Sequence, residues 1–342
     1  MAFITTDHLR QAQRLGAAIG AWLCIVAPCA ALAIDIPGSA DVGRIQPAPK
    51  TPRVTRTPGS SVASPSSAMT TPIPQGAKAI RFVLKEVKLN GVTAFAPAEI
   101  ADIYTPYLGK EITLDTAYMF AGAITERYRN AGYFLSLAYV PNQEIGNGVL
   151  VLKVVEGYVG EVDIESSARG NPVIRDYIDT LAAQKPLTSQ AMESFLLRLN
   201  DLPGYSFSGV LSTLDSGVEG AVKLTVERLK KEGSGTLTID NASSRFLGPH
   251  EGTLSYSTSL LPLHQTTVSA LSSIPTRPMH YISLEHSAVV MPDITLTLNG
   301  AITEATPGFT LTPYEIESSS TFISGSIGYQ WIRQRDENLS LK

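Results

Sequence analysis

From Ile294 to Thr303 the chain alternates strictly. Ile294, Leu296, Leu298 and Ile302 fall on one face, and Thr295, Thr297, Asn299 and Thr303 fall on the other. Successive side chains of a strand point to opposite sides, so this segment reads as a strand whose two faces meet different surroundings. The pattern recurs. Leu254, Tyr256 and Leu260 oppose Thr253, Ser255, Ser257 and Ser259, and Ile323, Ile327, Tyr329 and Trp331 oppose Ser324, Ser326 and Gln330. Further strands are expected over 234–241, 266–273 and 279–290. Strands of about ten residues, apolar outside and small-polar inside, are the signature of a transmembrane β-barrel. A soluble β-sandwich also alternates. Low charge (17%), aromatic residues near strand ends (Tyr281, Tyr329, Trp331) and a secretory leader favour the membrane. Six or seven such strands fit before Lys342. A membrane barrel must close and bacterial barrels start at eight strands, so a C-terminally truncated barrel is expected.

The leader is read at 1–33. Arg10 and Arg14 precede the apolar run Leu15–Ala27, and Ala31–Ala33 forms a small-x-small cleavage site. A membrane anchor or a lipoprotein at Cys29 fits less well, because Pro28 interrupts the segment. Both cysteines, Cys24 and Cys29, fall in the leader, so the mature chain would have no disulfide or thiolate metal site. The leader carries +1 (Arg10, Arg14, Asp7). Removing it from the net −4 leaves −5, with no basic excess for nucleic acid. Residues 34–79, rich in Pro, Ser and Thr, are too poor in apolar residues to offset ordering entropy and read as a tether.

Between tether and barrel the chain repeats one order of elements. A strand at Ile80–Val92, whose alternation slips near Lys85, ends at Asn90-Gly91. Pro97 opens a short helix. Thr113 is placed to cap a second, with Ala117, Phe120, Ile124 and Tyr128 on one face and Gly132 at its end. The strands "YFLSLAYV" and "GVLVLKVV" follow, joined by a loop containing Gly146, Asn147 and Gly148. The second unit starts at "GYVGEVDIES". Asn171-Pro172 and Thr188 open its helices, and Met192, Phe195, Leu199 and Leu202 share a face. "PGY" at Pro203–Tyr205 matches "AGY" at Ala131–Tyr133, and strands "SFSGVLS" and "AVKLTVERL" close the unit. The fold class is therefore α+β modules, two β-α-α-β-β units at 80–157 and 158–231, followed by the start of an antiparallel transmembrane β-barrel at 232–342.

This domain order, together with Asp240, Asn241, Ser244, Arg245, Gly248 and Gly252 in the first barrel hairpin, resembles the TpsB transporters of two-partner secretion. These are the haemolysin secretion/activation proteins of the Omp85 superfamily, and the repeated units resemble POTRA domains. The resemblance covers about 80–342. It implies a Gram-negative outer-membrane pore that exports, and can activate, one large β-helical adhesin or haemolysin received unfolded by periplasmic POTRA units. It implies lipid contact, no cofactor and no nucleotide. The family's barrel-loop motif with its functional arginine would lie beyond Lys342. A plug helix finds only Asp41–Ile45, short and Pro-flanked.

Catalytic patterns are absent: there is no Walker loop, G-x-G-x-x-G or G-x-S-x-G. His8, His250, His264, His280 and His286 have no metal-ligand spacing and read as rim or lumen residues. Glu156, Glu161, Asp163 and Glu165 read as a solvated hinge between modules. What remains is binding by geometry, since an unfolded client can add a strand to an open sheet edge. The uncharged stretch Tyr133–Val140 is the expected receiving edge, with Tyr133, Phe134, Leu135, Leu137 and Tyr139 as partner-binding residues. A charge-blunted, merely soluble edge is the bland reading. A transporter for one secreted partner leads. An Omp85-type assembly factor and a passive porin with periplasmic modules are the alternatives.

Overall fold

The computed structural model describes residues 73–145, 147–214, 217–231, 233–241, 243–274 and 279–342. The leader and residues 34–72 of the tether, with Asp41–Ile45, lie outside the described residues.

In the first module, β1 (Arg81–Val83), β2 (Glu86–Asn90), α1 (Pro97–Ala101), β3 (Glu111–Thr113), α2 (Leu114–Asn130), β4 (Leu137–Tyr139) and β5 (Val149–Val155) follow in order. The strand expected over Ile80–Val92 is two strands. The slip near Lys85 is where the chain leaves one sheet for another: β1 pairs antiparallel with β3, and β2 pairs parallel with β5. The main sheet runs β2-β5-β4. Helix α2 lays Ala117, Phe120, Ile124 and Tyr128 on Leu150, Leu152 and Val154. It stops where Gly132 turns left-handed (φ 90°), with Gly132 N–H bonded to Arg129 O and Tyr133 N–H to Tyr128 O. Thr113 stands at the N-cap but caps no backbone N–H, its hydroxyl bonding the Asp115 carboxylate instead.

The second module repeats the plan with β6 (Tyr158–Ile164), α3 (Ser166–Arg169), α4 (Pro172–Ala182), α5 (Ser189–Asp201), β7 (Tyr205–Thr213) and β8 (Ala221–Lys230), in sheet order β6-β8-β7. Asn171 and Thr188 accept from the N–H groups of Val173 and Ala191, capping α4 and α5.

Three of the junction carboxylates are half exposed, as expected, but the junction is not a free hinge. Glu161 and Asp163 on β6 pair with Lys223 on neighbouring β8, and Glu165 pairs with Arg228. Glu156 accepts from Thr93, Ala94 and Tyr128. The backbones interlock as well. Leu187 N–H donates to Gly157 O and Ser189 N–H to Gly132 O, each at 2.8 Å. Leu135, from the first module's sequence, is buried in the second module's core.

The remaining strands form one antiparallel meander: β9 (Ser234–Asp240), β10 (His250–Thr258), β11 (His264–Ile274), β12 (Met279–Met291), β13 (Ile294–Ala305), β14 (Ser318–Arg333) and β15 (Asn338–Leu341), paired in sequence order. Leu254, Ile282, Leu298, Ile302 and Ile323 are exposed on one face. On the other, Ser255 meets Ser269 (2.9 Å) and Ser257 meets Thr267 (2.8 Å) directly across the ladder. Trp331 and Tyr329 are exposed with the apolar residues, but Tyr281 is on the small-polar face. There it is buried under Leu247, which the β9–β10 loop folds inward onto Leu271, Ala301 and Ala305. His264 opens β11 at the turn end of the sheet, a rim position, and meets His286 of β12 at 3.1 Å, both sharing the parity of the apolar face. Among the described residues no helix is long and apolar enough to cross a membrane.

Candidate partner-binding edges

A three-stranded sheet has two edges, and each strand there aims the N–H and C=O of every second residue outward. In the first module the expected edge Tyr133–Val140 shrinks to the three-residue β4. Residues 133–136 instead form the turn that ends α2. Tyr133 packs edge-on against Phe95 and Tyr128, and Phe134 leans on the second module's core. Leu135 is buried there. Leu137 and Tyr139 are half-buried, and the Tyr139 hydroxyl reaches Glu219 at 3.4 Å. The five residues thus do not line one open strand. The outward N–H of β4, that of Ala138, is taken by the buried hydroxyl of Thr125 on α2 at 2.9 Å. That hydroxyl donates onward to Ala121 O.

The second module covers part of its edge in the same way. The Asn200 side chain on α5 accepts from Phe207 N–H (2.9 Å) and donates to Phe207 O (2.8 Å), sealing the first half of β7. On the opposite edge, Arg169 donates to Val162 O of β6. Gly209, Leu211 and Thr213 share the outward direction of Phe207, because Ser206, Ser208, Val210 and Ser212 alternate with them along β7. Their outward main-chain groups have no partner among the described residues. Two intervals of two residues make this open stretch about 13 Å long. Sequence reasoning missed all three covering residues, Thr125, Asn200 and Arg169. Asn200, just before the Pro203–Tyr205 turn, was the only local signal, since an Asn in a helix's last turn has few intrahelical uses.

Residues 82–157 match the family described as POTRA domain, ShlB-type. This stretch is a ShlB-type POTRA domain. The chain is homologous to the heme/hemopexin transporter protein HuxB of Haemophilus influenzae, with 28% identity over 173 residues, 49% of this chain and 30% of that protein. It is likewise homologous to the outer membrane transporter CdiB of Escherichia coli, with 24% identity over 196 residues, 56% of this chain and 33% of that protein. The matched part therefore spans about a third of these relatives. Among solved structures, CdiB from Escherichia coli superposes with a TM-score of 0.59 at 18% identity, over 79% of this chain and 52% of that one. That likeness shows the fold: a POTRA domain followed by a large antiparallel sheet like the start of a β-barrel. CdiB, matched both in sequence and in fold, is an outer membrane transporter.

Proposed function

We propose that this protein is an outer-membrane transporter that receives one secreted partner polypeptide through two periplasmic POTRA modules and exports it through a β-barrel pore. The single observation that carries this reading is the order of parts: a ShlB-type POTRA domain, a second β-α-α-β-β module of the same sheet order, and a sheet apolar on one face and small-polar on the other. The proposed division is leader 1–33, tether 34–79, modules 80–157 and 158–231, and barrel from 232. Its work is recognition and passage rather than covalent chemistry. No nucleotide enters the scheme, since folding of the partner outside the cell biases its direction.

The receiving strand is proposed at Gly209–Thr213 in the second module, not at Tyr133–Tyr139. Main-chain pairing there tolerates varied client sequence. Thr213→Pro removes one outward N–H at an exposed edge position, where proline is tolerated. One lost main-chain hydrogen bond is worth about 1 kcal/mol, roughly a five- to tenfold weakening. The full-length protein carrying Thr213→Pro should bind its partner's secretion domain more weakly by that factor in a titration. Unchanged affinity would remove this edge from the proposal.

A further inference from the structure

Two hairpin turns at the module end of the sheet share an unusual grammar. In Leu261–His264 and in Met291–Ile294 the second residue is proline and the third stands in the left-handed region, Leu263 at φ 63° and Asp293 at φ 62°. The first turn is closed by His264 N–H to Leu261 O at 3.2 Å. Pro followed by a left-handed residue is the pattern of a type II turn, whose third position favours glycine or asparagine. A leucine there stands against the local backbone preference, and such an outlier persists only where its surroundings compensate; an aspartate tolerates the left-handed region better but is not the favoured residue.

The compensation comes chiefly from the second module, with one hydrogen bond from β12 of the sheet itself. Leu263 is buried in that module's hydrophobic core, and its carbonyl accepts from Val289 N–H at 3.0 Å. Asp293 enters the recess between α4 and α5, lined by Tyr177, Leu181, Ala191, Ser194 and Arg198. Its carboxylate accepts from the Tyr177 hydroxyl at 3.1 Å and pairs with Arg198, while its own N–H donates to the Tyr177 oxygen at 3.0 Å. A third contact completes the set. Asp201 at the end of α5 pairs with Arg333 of β14, and Ser194 donates to the Arg333 carbonyl at 2.8 Å. Helix α5 thus offers a cation to a turn aspartate and an anion to a strand arginine, an arrangement that admits one orientation.

We infer that Leu263 and Asp293 are docking studs, turn residues standing where glycine or asparagine is favoured and engaged by the second module, so that it seats on the barrel end in one fixed orientation. They are positioning residues. The orientation is independent of what the protein carries. Its consequence, that the Gly209–Thr213 edge is held at a set place relative to the pore, rests on the transport reading.

The test is a spin-label distance measurement on the full-length protein in outer-membrane vesicles, with labels at Glu227 of β8 and Glu285 of β12. The parent should give one narrow distance population. Leu263→Gly with Asp293→Gly leaves each turn its preferred residue, so heat-modifiable barrel folding should persist while the narrow population is lost. Asp201→Arg alone should broaden the distribution, and Asp201→Arg with Arg333→Asp should restore it. A single reversal that fails to insert leaves the glycine pair to decide. A narrow, unshifted distance in the glycine pair would overturn the inference. Loss of orientation with undiminished partner export would keep the studs and count against the transport consequence alone.

Discussion

Glu156 gathers four donors on one carboxylate. Oε1 accepts from Thr93 N–H (2.7 Å), Ala94 N–H (2.9 Å) and the Tyr128 hydroxyl (2.7 Å), and Oε2 accepts from the Thr93 hydroxyl. Burial pushes its pKa up, but these donors outweigh burial and hold it below the ordinary value of 4.5. Burial and the adjacent carboxylate push the Tyr128 phenol well up, so it stays a donor. A depressed carboxyl stabilises the fold above its unfolded pKa and loses that contribution as pH falls through the folded one, so the loss belongs below about 4.5. Hydrogen-exchange protection of β2 and β5 in the full-length protein should therefore weaken in acid. Glu156→Gln turns an amide N–H₂ toward donors and should cost about 1–3 kcal/mol of local stability at neutral pH. An equal acid-induced loss in the variant would remove Glu156 from this role. The sequence placed Glu156 among junction carboxylates but could not show its partners, which come from residues 63 and 28 positions away.

Two glycines of similar look carry opposite expectations at the scale of elements. Gly122 lies in α2 with open space where a side chain would stand. Gly122→Ala should raise stability by about 0.5–1 kcal/mol, the helix-propensity difference. A Cβ at Gly157 would lie 2.4 Å from Leu135 Cβ and 2.7 Å from its carbonyl oxygen, at the contact that fuses the modules. Gly157→Ala should lower stability by about 1–3 kcal/mol. Thermal melts of both variants check the pair, and equal shifts would contradict the rigid junction. Element order was largely legible: helical faces such as Phe120–Ile124–Tyr128 and the alternation at Ile294–Thr303 depend on local periodicity alone. The edges were not legible. Whether "YFLSLAYV" offers open main-chain groups depends on Thr125 reaching Ala138 from another element, and hydropathy carries no sign of that contact. For the same reason Tyr281 read as an interfacial aromatic, although the loop residue Leu247 covers it on the inner face.

Across the whole molecule, a two-module arm meets one end of the seven-stranded sheet through Asp293, Arg333 and Leu263. The arm is rigid because Leu135 crosses into the second core and the two backbones hydrogen-bond at Gly132 and Gly157. The sheet suits lipid on its exposed face through Leu254, Ile282, Leu298, Ile302 and Ile323. An arginine at Leu298, near the lipid-facing middle of β13, should cost about 2–4 kcal/mol of barrel stability, far more than at an aqueous surface. Urea unfolding in detergent or lipid reads this, and a cost near zero would place that face in water. Transfer of a secreted polypeptide from the arm to the pore, as proposed, is measurable in proteoliposomes. They would hold the full-length protein, with a partner's secretion domain supplied on the module side and no nucleotide. The partner should reach the opposite compartment, and Thr213→Pro should slow its passage. A pore that conducts ions yet leaves the partner on the module side would contradict the proposed transfer.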